Sequence, residues 1–228
     1  MQDGTHNVSC LANWMIDLPT QKVIQTIQSL AKGVSPGPSP AYTSVHVSRA
    51  ILCIGDEGPI GRIELSRKLG VGEGSARTVI RHLAKARIIE IAKGGCVLTG
   101  HGLGLYKALR LKLSKPCTIN ARQLALDKWS VAVRVNDASR LVKTGIEQRD
   151  AAVRAGATGA CTLIFRDGRL VMPVGVDRER TITKNEVLFQ EIQRALTPGN
   201  GDAIAIVSAP TREMAEYCAV AAALTLIS

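Results

Sequence analysis

Aromatic residues are scarce: Phe, Trp and Tyr make up 3% of the 228 residues, seven side chains in all. Recognition of single-stranded nucleic acid by base stacking needs aromatic platforms, so the composition argues against that mode. Long apolar runs are also missing. The most apolar stretch, Cys218 to Ile227, is well short of the roughly 18 residues of a membrane span, so no membrane partner is expected. The first residues show no basic segment leading into an apolar one, and the expected location is the cytoplasm.

Cysteine is present but never grouped. Cys10, Cys53, Cys96, Cys117, Cys161 and Cys218 stand singly, with no CxxC and no paired histidines. That spacing argues against zinc fingers and ribbons and predicts free thiols, with no metal and no cofactor. Histidine is confined to the first half, at His6, His46, His82 and His101. The second half therefore lacks the base that a Ser-His-Asp or Cys-His site would need from its own residues. A GxxxxGK[ST] phosphate loop does not occur, and Gly100-His101-Gly102-Leu103-Gly104 is Gly-rich in the wrong context for nucleotide binding. An enzyme is accordingly not the expected reading.

Basic charge is what the chain does have. Lys and Arg number 29 against 19 Asp and Glu, a net charge of +10. The excess is uneven. Residues 41–115 carry 13 basic and 5 acidic side chains, a net of +8, whereas residues 116–228 carry 14 and 12, a net of +2. A basic module joined to a nearly neutral one is the pattern of a nucleic-acid-binding domain with a separate partner domain.

Residues 1–40 read as an N-terminal helix followed by a linker. Val23, Ile24, Ile27, Leu30 and Ala31 recur at helical spacing, and Ser35-Pro36-Gly37-Pro38-Ser39-Pro40 breaks regular structure. In residues 41–115 the spacing predicts a helix over Tyr42–Cys53, closed by the Gly-rich Gly55–Pro59. A second helix is predicted over Arg62–Leu69, ending at Gly70 as a left-handed cap, and a third runs from an N-cap at Ser75 to about Ala86. Two strands joined at Lys93-Gly94-Gly95 and a helix over Gly102–Leu111, capped by Thr99, complete the set. Helix, helix, turn, helix, hairpin, helix is the order of a winged helix-turn-helix. In the third helix Ala76, Val79, Ile80 and Leu83 form the apolar face. Ser75, Arg77, Thr78, Arg81, His82 and Lys85, with Lys93 at the wing tip, are the candidate DNA-binding residues. A helix of about 10 to 12 Å diameter fits the major groove, where such side chains reach base edges and phosphates.

The second half, residues 116–228, alternates strands and helices. A half-buried strand is predicted over Trp129–Val135, and a helix from Gly145 or Ile146 to Ala155. A hairpin over Ala160–Val174 turns at Asp167-Gly168, a helix covers Asn185–Leu196, a buried strand Ala203–Val207, and a last helix Thr211–Leu226. The expected fold class is two-domain, α+β or α/β, with a small mixed or antiparallel sheet. The run Gly145-Ile146-Glu147-Gln148-Arg149-Asp150-Ala151-Ala152, with Gly156-Ala157-Thr158-Gly159-Ala160 and Thr162-Leu163, resembles archaeal winged-helix transcriptional regulators whose C-terminal domain has no assigned function. The resemblance spans roughly Tyr42 to the C-terminus and implies a regulator-like architecture without a known ligand.

Candidate effector-binding residues in this half are Glu147, Arg149, Asp150 and Thr158, together with Thr211 and Arg212 at a helix start, where free N–H groups favour an anion. The bland alternative is that Glu147, Arg149 and Asp150 form surface or interdomain ion pairs and that Gly156 and Gly159 are a C-cap and a tight turn. The expected function is transcription regulation through double-stranded DNA, with a homodimer built on the N-terminal helix (Val23, Ile24, Ile27) or the apolar last helix, and a small-molecule effector. The alternatives are a small-metabolite enzyme with a fused winged helix, or a winged helix used for protein contacts.

Overall fold

The computed structural model describes residues 20–31, 42–121, 124, 127–174, 178–184 and 186–227. Cys10 and the proline-rich run expected to act as a linker lie outside them. The described residues form an α+β fold of eight α-helices and two antiparallel sheets.

Helix α1 (Thr20–Ala31) packs on α2 (Ser44–Glu57) and α5 (Gly100–Lys112). Helix α2 runs a full turn beyond its expected end, because Gly55 is a contact residue and not a breaker. The ring of Tyr106 on α5 occupies the space that a Cβ at Gly55 would take, so glycine is what lets the two helices approach. Helix α3 (Arg62–Leu69) stops where expected, at Gly70 with φ +67, a conformation that costs glycine nothing. Helix α4 (Glu73–Lys85) begins three residues earlier than expected. Its N-cap is Gly72, whose carbonyl accepts from Ala76 N at 3.0 Å, which leaves Ser75 inside the first turn and not at the cap. Ala76, Val79, Ile80 and Leu83 are buried, as their spacing predicts.

Strands β1 (Ile89–Ala92) and β2 (Gly95–Leu98) form the hairpin, with Ala92 opposite Gly95 across the Lys93-Gly94 turn. Ile60 adds a one-residue third strand: its N–H donates to Cys96 O at 3.1 Å and its carbonyl accepts from Cys96 N at 2.8 Å. Thr99 caps α5 by accepting from Gly102 N at 3.1 Å. From α5 the chain passes directly into the larger sheet. Leu113 bridges to Val135, and Ser114 N donates to Arg134 O at 2.9 Å.

That sheet has the order β3-β4-β8-β5-β6-β7, antiparallel throughout. Its strands are β3 (Cys117–Thr118), β4 (Trp129–Val135), β5 (Gly159–Arg166), β6 (Arg169–Pro173), β7 (Glu179–Ile182) and the central β8 (Ala203–Ala209). Helices α6 (Ile146–Arg154) and α8 (Arg212–Leu224) cover one face and α7 (Val187–Leu196) the other. Strand β4 is buried on both faces and not half-buried as its alternation suggested. Val131, Val133 and Val135 join the α6–α8 side, while Ala132 joins Leu163, Ile204 and Ile206 on the α7 side. Strand β7, polar and largely exposed at the sheet edge, was not expected at all.

One hydrophobic core runs without interruption from Val23 and Ile27 of α1, through Val47 and Ile51 of α2, to Val131 and Val133 of β4 and Cys218 and Ala222 of α8. Each fully buried aliphatic side chain in it contributes about 2 kcal/mol. Val23, Ile27 and the apolar face of α8 are consumed in this core. The two expected dimer surfaces are therefore covered within the chain, because α1 docks on α2 and α5 and α8 is held between β4, β8 and α2.

Candidate functional site

Helix α4 presents Arg77, Arg81 and Lys85 to solvent at i, i+4 and i+8, a single stripe opposite its buried face. None of the three enters an ion pair among the described residues, and neither does exposed Lys93 at the hairpin tip. The neighbouring helix behaves differently. Arg62 pairs with Glu73 at 3.4 Å, Arg67 with Glu64 at 2.7 Å and Lys68 with Glu57 at 2.8 Å. Ser75 and Thr78 are half-buried, and the Thr78 hydroxyl donates to Gly74 O at 3.1 Å. His82 is turned away from the arginine stripe: its Nδ1 lies 2.6 Å from the Tyr42 hydroxyl, with the rings edge to face. Burial raises the Tyr42 phenol above its ordinary range, partly offset by the Arg81 charge. The sequence placed His82 correctly on the helix but could not show that Tyr42 claims it.

The candidate effector residues do not converge. Glu147, Arg149 and Asp150 are exposed on α6 and make no ion pair among the described residues. The Thr158 hydroxyl donates to Asp127 Oδ2 at 2.5 Å and holds that carboxyl below its usual range. Thr211 spends its hydroxyl capping α8, accepting from Met214 N at 3.2 Å. Arg212 Nε donates to Glu216 Oε1 at 3.0 Å. The buried polar member of the Gly145–Ala152 motif is Gln148, which sequence reasoning passed over. Its Nε2 donates to Thr225 Oγ1 at 2.9 Å and so ties α6 to the end of α8.

Charged residues that sequence reasoning passed over line, with Arg212, a cleft of about 250 Å³ between α2, α3, α5 and α8. Arg49, 5% exposed, donates from NH1 to Glu213 O at 3.1 Å and from NH2 to Glu216 Oε2 at 3.4 Å. Asp56 accepts from Arg110 NH2 at 2.5 Å and from the Tyr106 hydroxyl at 2.8 Å, with Lys115 Nζ 3.5 Å away. Beside the cleft, His46 is held neutral by burial, with the Arg49 charge acting in the same direction, and its pKa falls to about 4. Its Nδ1 accepts from Thr43 N at 3.0 Å, which caps α2, and lies 3.3 Å from the Tyr217 hydroxyl on α8. A signal for this seam existed in the sequence: Arg49 interrupts the otherwise apolar positions Val45, Val47, Ala50 and Ile51.

Residues 126–226 match the family model of a domain of unknown function, DUF4443. Hypothetical protein PH0730 from Pyrococcus horikoshii OT3 is similar in structure, with a TM-score of 0.67 and 28% identity over 81% of this chain and 92% of that one. No curated protein matches the chain. The DUF4443 segment holds α6, α8 and the candidate effector residues, whereas α4 and the hairpin lie outside it. The cleft takes Arg212 and Glu216 from the DUF4443 segment and its other charged residues from the helices before it. Among the described residues no helix is long and apolar enough to cross a membrane, and no three His, Cys, Asp or Glu side chains gather as a metal set.

Proposed function

We propose that the chain is a DNA-binding transcriptional regulator, in which residues 41–115 form a winged helix-turn-helix with α4 as recognition helix and the β1–β2 hairpin as wing. Residues 116–228, which include the DUF4443 segment, would sense a small molecule or hold a second copy of the chain. The observation that carries this reading is the unpaired stripe Arg77, Arg81 and Lys85 beside Lys93, on a helix whose other face is locked into the core. Cations left without carboxylates keep their charge for phosphates and base edges, whereas the paired cations of α3 do not. The concentration of +8 in residues 41–115 supports the same reading.

If all four cations reach phosphates, log K should fall with log salt at a slope of about −3 to −4 per bound chain. Fluorescence anisotropy with duplex fragments from the protein's own locus, repeated across salt concentrations, tests this. A flat salt dependence contradicts phosphate neutralisation by this face. Two α4 helices on successive major grooves require a two-fold pair of chains. Sedimentation of the DNA complex, which should contain two chains per site, measures that part of the proposal.

A further inference from the structure

We propose that the cleft between α2, α3, α5 and α8 is a binding site for a small metabolite that carries a dianionic phosphate group. Five cationic side chains line it, Arg49, Lys68, Arg110, Lys115 and Arg212, against the three carboxylates of Asp56, Glu57 and Glu216. The surplus is two positive charges, which one phosphate monoester at neutral pH neutralises. The distribution of partners decides where the phosphate sits. Arg49 and Arg110 are committed deep in the cleft to Glu216, the Glu213 carbonyl and Asp56. At the mouth, Lys115 is 65% exposed and reaches only an Asp56 carboxylate that Arg110 and Tyr106 already occupy. Arg212, 57% exposed, uses its Nε on Glu216 and has both terminal NH2 groups to spare. Lys115 and Arg212 therefore supply the donors for the phosphate.

A volume of about 250 Å³, slightly under the roughly 300 Å³ lower bound of drug-sized pockets, suits a small phosphorylated molecule and not a polymer. Duplex DNA is the less favoured source of phosphate. The cleft includes no residue of α4 or the hairpin. The site also spans the chain in a useful way. Lys68 belongs to the helix preceding α4, and Arg212 to the DUF4443 segment, so both halves of the chain line the cleft. A regulatory role for that shared lining rests on the regulator reading; anion binding itself does not.

The test uses the full chain and inorganic phosphate. Backbone amide shifts near Lys115 and Arg212 should move saturably with phosphate, at concentrations up to about 20 mM, against sodium chloride of matched ionic strength. The pair Lys115→Gln and Arg212→Gln, both at exposed positions, should weaken that binding by about tenfold or more with an unchanged amide spectrum elsewhere. The Arg77→Ala, Arg81→Ala variant should bind phosphate as the parent does, so failure of the DNA reading and failure of this one are separable. No saturable shift, an equal shift with chloride, or equal binding by the glutamine pair overturns the proposal. So does a loss of DNA affinity in the glutamine pair as large as its loss of phosphate, which would make the cleft a DNA contact.

Discussion

Replacing Arg49 with Ala tests whether the seam between α2 and α8 holds the two halves together. The guanidinium makes one hydrogen bond to the Glu213 carbonyl and one charge-assisted contact to Glu216. The first contributes about 1 kcal/mol and the second about 1.5 to 3 kcal/mol; burial of the aliphatic stem adds about 1 kcal/mol. Glu216 keeps Arg212 as a second partner at 3.0 Å, which limits the penalty of stranding its charge, and with the Arg49 contact long at 3.4 Å the low end of the sum, about 3.5 kcal/mol, follows. For a chain of 228 residues that lowers Tm by about 7 to 14 °C. Arg212→Ala, which removes the exposed arm of the same network, should cost less than about 1 kcal/mol. Guanidinium unfolding followed by far-UV and near-UV circular dichroism measures both. Because one core crosses the seam, the two signals should coincide in the parent protein. An Arg49→Ala variant within about 1 kcal/mol of the parent would refute the assignment of the seam to Arg49.

His46 predicts an acid dependence. Its folded pKa of about 4 lies below the ordinary 6.5, so the unfolded chain takes up a proton that the folded chain refuses. Above pH 6.5 the group costs nothing. As pH falls toward 4 it should remove about 3 kcal/mol of stability, and His46→Gln should flatten that part of the profile in urea titrations at each pH. Gly55→Ala should destabilise by about 1 to 3 kcal/mol despite alanine's better helix propensity, because its methyl meets the Tyr106 ring; a thermal melt equal to the parent's would contradict that contact. Gln148→Ala should loosen the end of α8 and raise amide exchange at Ala222 to Leu226, since Gln148 holds Thr225 at 2.9 Å.

What could be read from the sequence was local. Gly70 ends α3, Thr99 caps α5, and Asp167-Gly168 closes the β5–β6 hairpin; each rests on a residue type and its immediate neighbours. The buried face of α4 was legible for the same reason, since one period fixes it. Features set by distant partners were not. Gly55 resembles a breaker until Tyr106 is brought against it, Ile60 becomes a strand only because Cys96 lies alongside, and the polar β7 is a strand only as an edge partner of β6. The cleft is the extreme case. Arg49 stood out as a charge within an apolar pattern, but its partner Glu216 is 167 residues away, and no spacing rule joins them. The same limit explains His82, correctly read as part of α4 and then engaged by Tyr42 from 40 residues earlier.

The proposal that α4 reads DNA is tested most directly by changing Arg77 and Arg81 together to Ala and measuring binding to duplex fragments of the protein's own locus. Both side chains are exposed and make no ion pair among the described residues, so the fold should be unchanged by circular dichroism and melting. Specific binding should fall at least about thirtyfold, at about 1 to 3 kcal/mol for each base-contacting arginine, and the salt slope should become shallower by about 2 per bound chain. Unchanged affinity and slope in a folded double variant would contradict the account.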